Sequence, residues 1–588
     1  MVKFLIVLFS LSFACFFTTG LRAQSLYFNY FTDTIRPGFR VSGVFDSMDV
    51  ASARYQHNLP TFFQPAKQSF SFLNLHKDAN PEVKKRFSAI PHVGFRYSMG
   101  TNATQEGKIM YTQALDSFTF LQLDYQRNVS HGALRNGNFE NNSVDVGYYH
   151  HKSRFAQTIT IHFSGEKRSL NGGLLGDTLS DPLLGLIFQD VSKNNVFSTS
   201  NFSPSSPGAV YKENKTFQLT NTNYLSFTSN DQLKTGIFVN PYLSIENRRF
   251  IENGSINTIY GVANYDTSAT RDFWQKSEIG AWSGYFLHSK QFQLNAGVVV
   301  DYWDYDNLMR HRDSLMVLAK GDLMVSSKKG LIWKSAATLN LAGALGELSL
   351  TSSIHQQFKI GRIAMHGGYK KSYPELYQRE YYSNTTNYSW TNRTLYTHVY
   401  FGGALAVRKN KTTTSLSANY EFTDKLPLFI GNQWRQDTLN QLSVLTLKAV
   451  SSFVVKRLFF QPSITVQLSE NTVVPKLLVV ARVGFNGTLF KAKKMKTALG
   501  VDLGYTSSYQ LMEYVPYMQT YSFSTATNTY AAMPKLHLFA NFDLGFFRWF
   551  LRLENIEQTF QKKMNFEALG YPVVPMQFRF GVSWDLFN

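Results

Sequence analysis

His162-Phe163-Ser164-Gly165 is the stretch of this 588-residue chain whose residue types come nearest to enzyme chemistry. A histidine two residues from a serine on one strand face could take the hydroxyl proton and make a nucleophile. His150-His151 supplies two imidazoles, but neighbours on a strand point to opposite faces, which denies a metal a shared site. Gly172-Gly173-Leu174-Leu175-Gly176 lacks the lysine and the strand-to-helix setting of a phosphate loop, so it reads as a plain loop. Elsewhere there is no ordered carboxylate pair, zinc spacing or nucleophile elbow. We therefore expect no enzyme activity, cofactor or metal.

The elements that carry these residues are strands with two unlike faces. Leu121, Leu123 and Tyr125 oppose Gln122, Asp124, Gln126 and Asn128; Ile159, Ile161 and Phe163 oppose Thr158, Thr160, His162 and Ser164. The same alternation sets Ile237, Val239, Leu243 and Ile245 against Asn240, Ser244 and Glu246, and Leu294, Val298 and Val300 against Asn295 and Asp301. The C-terminal run Met576–Asn588 is the clearest case. Phe578, Phe580, Val582, Trp584 and Leu586 form one face, and Gln577, Arg579, Gly581, Ser583 and Asp585 the other. Charge and amide recur on the second face without visible compensation, which a dry core would not tolerate and a water-filled lumen would. An outer-membrane phospholipase keeps its His/Ser pair on the lipid side, whereas here Ile161 and Phe163 hold that side. Catalysis by His162 is not expected.

Most runs are about 9 to 14 residues, long for soluble strands and right for a tilted membrane span. Closure follows, because an open sheet edge in lipid would leave its backbone groups unpaired. The expected fold is all-β: a transmembrane antiparallel β-barrel of about 20 strands (range 16–24), closed by the C-terminal strand.

Composition agrees. Fifty Phe, 32 Tyr and 8 Trp coexist with a mean hydropathy of −0.21, as girdled strands half in lipid and half in water would give. Residues 1–23 read as a signal peptide: Lys3, then apolar Phe4 to Phe17, then Leu21-Arg22-Ala23 before Gln24. The one cysteine, Cys15, lies inside it in a poor lipoprotein context, so the exported chain would have neither disulfides nor thiolate sites. Without Lys3 and Arg22, 57 basic residues face 40 acidic ones, a balance of +17. An exported destination and dispersed cations, clustered only at Lys491–Lys496, argue against nucleic acid. They fit turns beside anionic lipid head groups, or an anion-favouring lumen.

Residues 24–91, broken by Pro60, Pro65, Pro81 and Pro91, read as a lead-in, a small plug or early strands; the barrel is expected over 92–588. Gly165, Asn230-Asp231 and Ser327-Lys328-Lys329-Gly330 read as turns, and Glu166–Asn214 and Pro374–Arg393 as long loops, one of which would fold inward to narrow the pore.

With those residues in view, the chain resembles the putative porin family of Bacteroidetes outer membranes. The matching features include Asn171-Gly172-Gly173, Pro374 followed by Tyr381-Tyr382-Ser383-Asn384 and Trp390-Thr391-Asn392, and Gly500-Val501-Asp502-Leu503-Gly504-Tyr505. Glu513-Tyr514-Val515-Pro516-Tyr517, Leu551-Arg552-Leu553-Glu554-Asn555 and the tail from Tyr571-Pro572 to Trp584 complete the order. The resemblance runs from about residue 92 to the end and implies a barrel with pore activity, naming neither solute nor site. Arg579, Gly581, Trp584 and Leu586 also resemble the C-terminal signal read by the barrel-assembly machinery, although Asn588 follows the final aromatic.

The function expected is an outer-membrane porin passing small polar solutes passively, with an anion preference. Gln122, Asp124, Gln126, Asn128, Glu246, Asp301, Arg579 and Asp585 are its candidate lumen residues. Partners would be outer-membrane lipid and lipopolysaccharide, the assembly machinery and the solutes, in an oligomeric state left open. The alternative is a closed barrel serving as scaffold or partner of a secretion or assembly complex. A TonB-dependent receptor would need a plug of well over a hundred residues ahead of the barrel, and a barrel for hydrophobic solutes would need an apolar lumen stripe. Neither is visible in the sequence.

Overall fold

The structure, a computed structural model, describes Thr34–Ile35 and most of residues 87–587. Left out within that span are 89, 133–137, 153, 171–209, 230–232, 254–265, 328, 385–389, 392–393, 410–411, 432, 437–440, 490–494, 516–517, 519, 524–528, 531, 561–565, 569–570 and 574–575. The expected signal peptide, most of 24–91, Asn171 to Gly176, the turn expected at Asn230-Asp231, Trp390-Thr391-Asn392 in part and the Lys491–Lys494 cluster lie outside the described residues.

Alternating residues produce a closed antiparallel barrel of 22 strands. They are β1 (His92–Gly100), β2 (Thr104–Ala114), β3 (Thr119–Ser130), β4 (Phe139–Lys152), β5 (Phe155–Ser169), β6 (Val210–Ser229), β7 (Leu233–Asn253) and β8 (Ala269–Ser289). Next come β9 (Phe292–Asn307), β10 (His311–Ser326), β11 (Leu331–Ala342), β12 (Leu348–Phe358), β13 (Gly361–Ser372), β14 (Tyr396–Lys409) and β15 (Thr412–Asp424). The last are β16 (Gln441–Val455), β17 (Leu458–Leu468), β18 (Leu477–Leu489), β19 (Met495–Thr506), β20 (Met533–Asp543), β21 (Phe547–Glu554) and β22 (Gln577–Phe587). Each pairs with its neighbours in sequence, and β22 closes the ring by pairing with both β21 and β1. The expected count of about 20 was close.

The period-two rule fixes which way each side chain points. Leu123, Tyr125, Phe163, Val298, Val300, Phe578, Trp584 and Leu586 are exposed on the outside, where acyl chains replace water. No helix is long and apolar enough to cross a membrane among the described residues. All links at one end, the turn end, are short hairpins, such as Lys456-Arg457 and Lys359-Ile360. Every long connection emerges at the other, the loop end.

Two expectations change. Gly165 is not a turn; it lies inside β5, opposite Asn142 and Lys215. Nor do Glu166–Ser169 and Val210–Asn214 belong to a loop, for they continue β5 and β6 in register, Glu166 facing Asn214. Their polarity misled because these strands run past the apolar band, where both faces can be wet. There Lys167 pairs with Glu213 at 3.3 Å and crosses the Tyr211 ring at 4.2 Å.

Candidate functional site: the barrel interior

All eight candidate lumen residues fall on the interior face, but they do not share one environment. Gln122, Asp124 and Asn128 on β3 are almost fully buried, at 0, 6 and 1% exposure. Gln122 donates to Asp124 at 3.4 Å, and Gln126 donates to Glu106 and Asn128 at 3.4 Å each. Just below, Phe87 lies edge-on against interior Phe120 and Tyr149, so Phe87 itself sits within the barrel.

Near the closure the interior carries a continuous ion ladder. Arg482 grips Asp502 at 2.6 and 2.9 Å. Arg552 bridges Asp502 at 3.0 Å and Glu554 at 2.9 Å, and Arg579 completes the line onto Glu554 at 3.2 Å. A second set crosses the seam itself: Asp585 on β22 lies 3.3 Å from His92 on β1 and 3.5 Å from Arg548 on β21. The charges that look uncompensated along each strand are therefore compensated across strands. Of the candidate assembly residues, Arg579 and Gly581 point inward and Trp584 and Leu586 outward. A Cβ at Gly581 would collide with the Phe550 ring, which explains the glycine.

Glu246 and Asp301 belong to another wall, β6–β9. Glu246 accepts from Arg248 at 2.8 Å, and Asp301 sits buried close to Tyr242 and Glu278. This wall also holds apolar groups that the sequence reading did not anticipate inside. Phe238, Trp282, Phe286 and Val299 form a buried interior cluster with Tyr224 and Tyr242 against it. Trp282 meets Phe238 at 4.7 Å, and Lys320 from β10 covers its ring at 4.1 Å.

At the loop end several connections turn inward, among them the stretch after Pro374, one of the two loops considered for this role. Glu375 caps the helical turn Leu376–Arg379, and Tyr377 stacks on interior Trp274 at 5.4 Å. Glu380 pairs with Arg312 at 2.6 Å and Arg310 at 3.5 Å, and its carbonyl accepts from Tyr305. Ser383 donates to Asp272, and Asn384 binds the same carboxylate through its backbone N–H at 2.8 Å. The Asn384 side chain then donates to the Asp266 carbonyl at 2.8 Å. Leu428–Ile430 and Thr520–Ser522, from the connections after β15 and β19, pair through Phe429 and Ser522. Phe429, Trp434, Val515, Met518 and Tyr381 pack with Phe250, Trp274 and Tyr305 of the interior wall in one apolar core. A second core joins Leu426, Leu428, Met512, Tyr514, Tyr521 and Ala568 to Leu442 and Val444 of β16.

The remaining wall, β10–β16, stays open. Lys320, Lys334, Arg362, Lys370, Arg408 and Lys448 lie on its interior face beside two carboxylates, Asp322 and Glu421. Lys334, Arg362, His366, Lys370 and Arg408 are exposed. A cavity of about 450 Å³ is lined there by Gln293, Asn295, Lys334, Ser353, His366 and Tyr400.

The tempting His/Ser pair does not assemble. His162 Nδ1 lies 2.5 Å from Asp145, but its buried Nε2 has no hydrogen-bond partner, so Ser164 is out of reach. His150 faces Thr119 at 3.0 Å, on the strand face opposite to that of His151. Asp272, Trp274, Tyr305 and the Arg552 ladder were missed. Tyr381-Tyr382-Ser383-Asn384 was noticed as a motif, but its acceptor lies more than a hundred residues away on another strand.

The family model described as "Putative porin" matches residues 87–588. The chain belongs to that family. The search of curated proteins found no match. Among solved structures, the porin-family barrel is similar to the FrpB iron transporter (F3-3 variant) from Neisseria meningitidis, with TM-score 0.58 and 8% identity over 84% of this chain and 81% of that one. It is also similar to the siderophore receptor PirA from Acinetobacter baumannii, at 0.59 and 8% over 86% and 81%. The ferric enterobactin receptor PfeA gives 0.57 and 11% over 85% and 83%. At such identities the likeness speaks for the barrel alone. Family and neighbours together point to the outer membrane.

Proposed function

We propose that this porin-family barrel is an outer-membrane channel through which small polar solutes diffuse passively, with anions favoured. The observation that carries the reading is the β10–β16 wall, where exposed interior cations outnumber carboxylates. Cations lining a wet passage lower the barrier for anions and raise it for cations. Residues 376–384, pinned by Asp272, narrow the loop-end mouth. No catalytic step is needed, and His162 serves as a buried partner of Asp145. Reversal potentials of the purified protein in a planar bilayer under a salt gradient test the idea. An anion preference supports it, and a cation preference removes it.

A second reading has its own support. The two apolar cores that tie the long connections to the interior wall would also suit a barrel that stays shut and acts as a scaffold. Absence of single-channel conductance at any holding potential would favour that reading.

A further inference from the structure

The turn end carries charge unevenly. Four consecutive hairpins, from β10–β11 to β16–β17, present Lys329, Lys359, Lys409, Lys456 and Arg457, all exposed. No described residue in these turns is acidic. Elsewhere at the same end Lys152, Arg154 and Lys290 are scattered among turns that include Asp116, and Asp543 flanks the β20–β21 hairpin.

We propose that this arc binds the head groups of anionic glycerophospholipids in the leaflet at the turn end. Position comes first. Lys359, Lys456 and Arg457 sit at the tips of two-residue hairpins, and Lys409 lies on the outward face beside inward Arg408. The arc therefore rims the barrel outside its passage. Next to the tips stand bare apolar side chains: Ile360 at 68% exposure, Val455 at 64% and Leu458 at 59%. An edge that passes from apolar to cationic within one residue matches the step from acyl chain to phosphate. A soluble acidic protein would pair with the cations but leave those apolar groups in water. Spacing agrees as well, since hairpin tips recur about every 10 Å around a sheet, and a lipid layer supplies a phosphate wherever one falls.

The test uses the full barrel purified in detergent, exchanged into nanodiscs of phosphatidylcholine with or without phosphatidylglycerol, and examined by native mass spectrometry for retained lipid. The proteins compared are the wild type, the triple variant Lys359→Glu/Lys456→Glu/Arg457→Glu, and a control, Lys152→Glu/Lys290→Glu, on other hairpins of the same end. The wild type and the control should retain phosphatidylglycerol over phosphatidylcholine. The arc variant should lose that preference by at least tenfold, since each cation near a membrane surface is worth roughly fivefold. Should charge reversal impair insertion, judged by heat-modifiable gel mobility, Lys359→Gln/Lys456→Gln/Arg457→Gln keeps the fold and still weakens the preference. Equal retention of both lipids by the wild type, or an unchanged preference in the arc variants, overturns the proposal. So does an arc variant that alters ion selectivity while binding lipid normally, because the cations would then belong to the pore mouth. Failure of the channel reading itself leaves this test intact.

Discussion

The interior faces of β18–β22 and of β10–β16 obey the same alternation, yet they are different materials. On the first, Arg482, Asp502, Arg552, Glu554 and Arg579 are stacked side chain to side chain, and Arg552 and Arg579 are 7% and 3% exposed. On the second, Lys334, Arg362 and Lys370 are exposed and none pairs with a carboxylate among the described residues. Polarity on the inward face thus does not distinguish a wet wall from a packed one. What decides is whether opposite charges come within reach of one another, directly across the ladder or diagonally to it, as Arg579 reaches Glu554. Arg482 faces Asp502, whereas Lys334 faces Ser353.

The sharpest way to break the contrast is Glu554→Ala. It removes the acid between Arg552 and Arg579 and should cost about 3–5 kcal/mol, because a buried charge left without its counter-ion is expensive. Lys334→Ala on the open wall should stay within about 0.5 kcal/mol. Urea unfolding of both variants in detergent micelles would separate the walls, and equal losses would erase the distinction.

Selectivity should show the opposite ranking. Lys334→Glu/Lys370→Glu/Lys448→Glu should lower anion over cation permeability severalfold, as read from reversal potentials, with little change in unfolding midpoint. A smaller effect is expected of Asp272→Ala. It releases the Ser383 hydroxyl and the Asn384 backbone N–H, and should raise conductance and its fluctuations by about twofold or less at the loop end rather than shift selectivity. Least of all, Ser164→Ala should change neither lipid hydrolysis nor stability beyond about 0.5 kcal/mol, since no histidine reaches that hydroxyl.

Much of this was legible because period two is a local property. Leu123 against Asp124, or Trp584 against Asp585, can be read from adjacent letters, and length alone then demands closure. Phe238, Trp282 and Phe286 escaped because they occupy polar-side positions among polar neighbours, and only a register over β6–β9 brings their rings together. The anchoring of Ser383 and Asn384 by Asp272 was equally hidden, as partners 111 and 112 positions apart leave no local trace. Glu166 to Arg168 misled in the other direction: a charged run looks like a loop, but Arg168 pairs with Glu166 inside it and Lys167 with Glu213 on the next strand.

The contact between His92 and Asp585 joins groups 493 positions apart. Until the final eleven residues arrive, β1 and β21 are both bare borders with unmet N–H and C=O groups, and no shorter chain can finish the ring. Completion is thus a late event of very high contact order, and a chain truncated before Gln577 forfeits two hydrogen-bonded ladders at once rather than one. The tail is the latch on which every earlier strand waits.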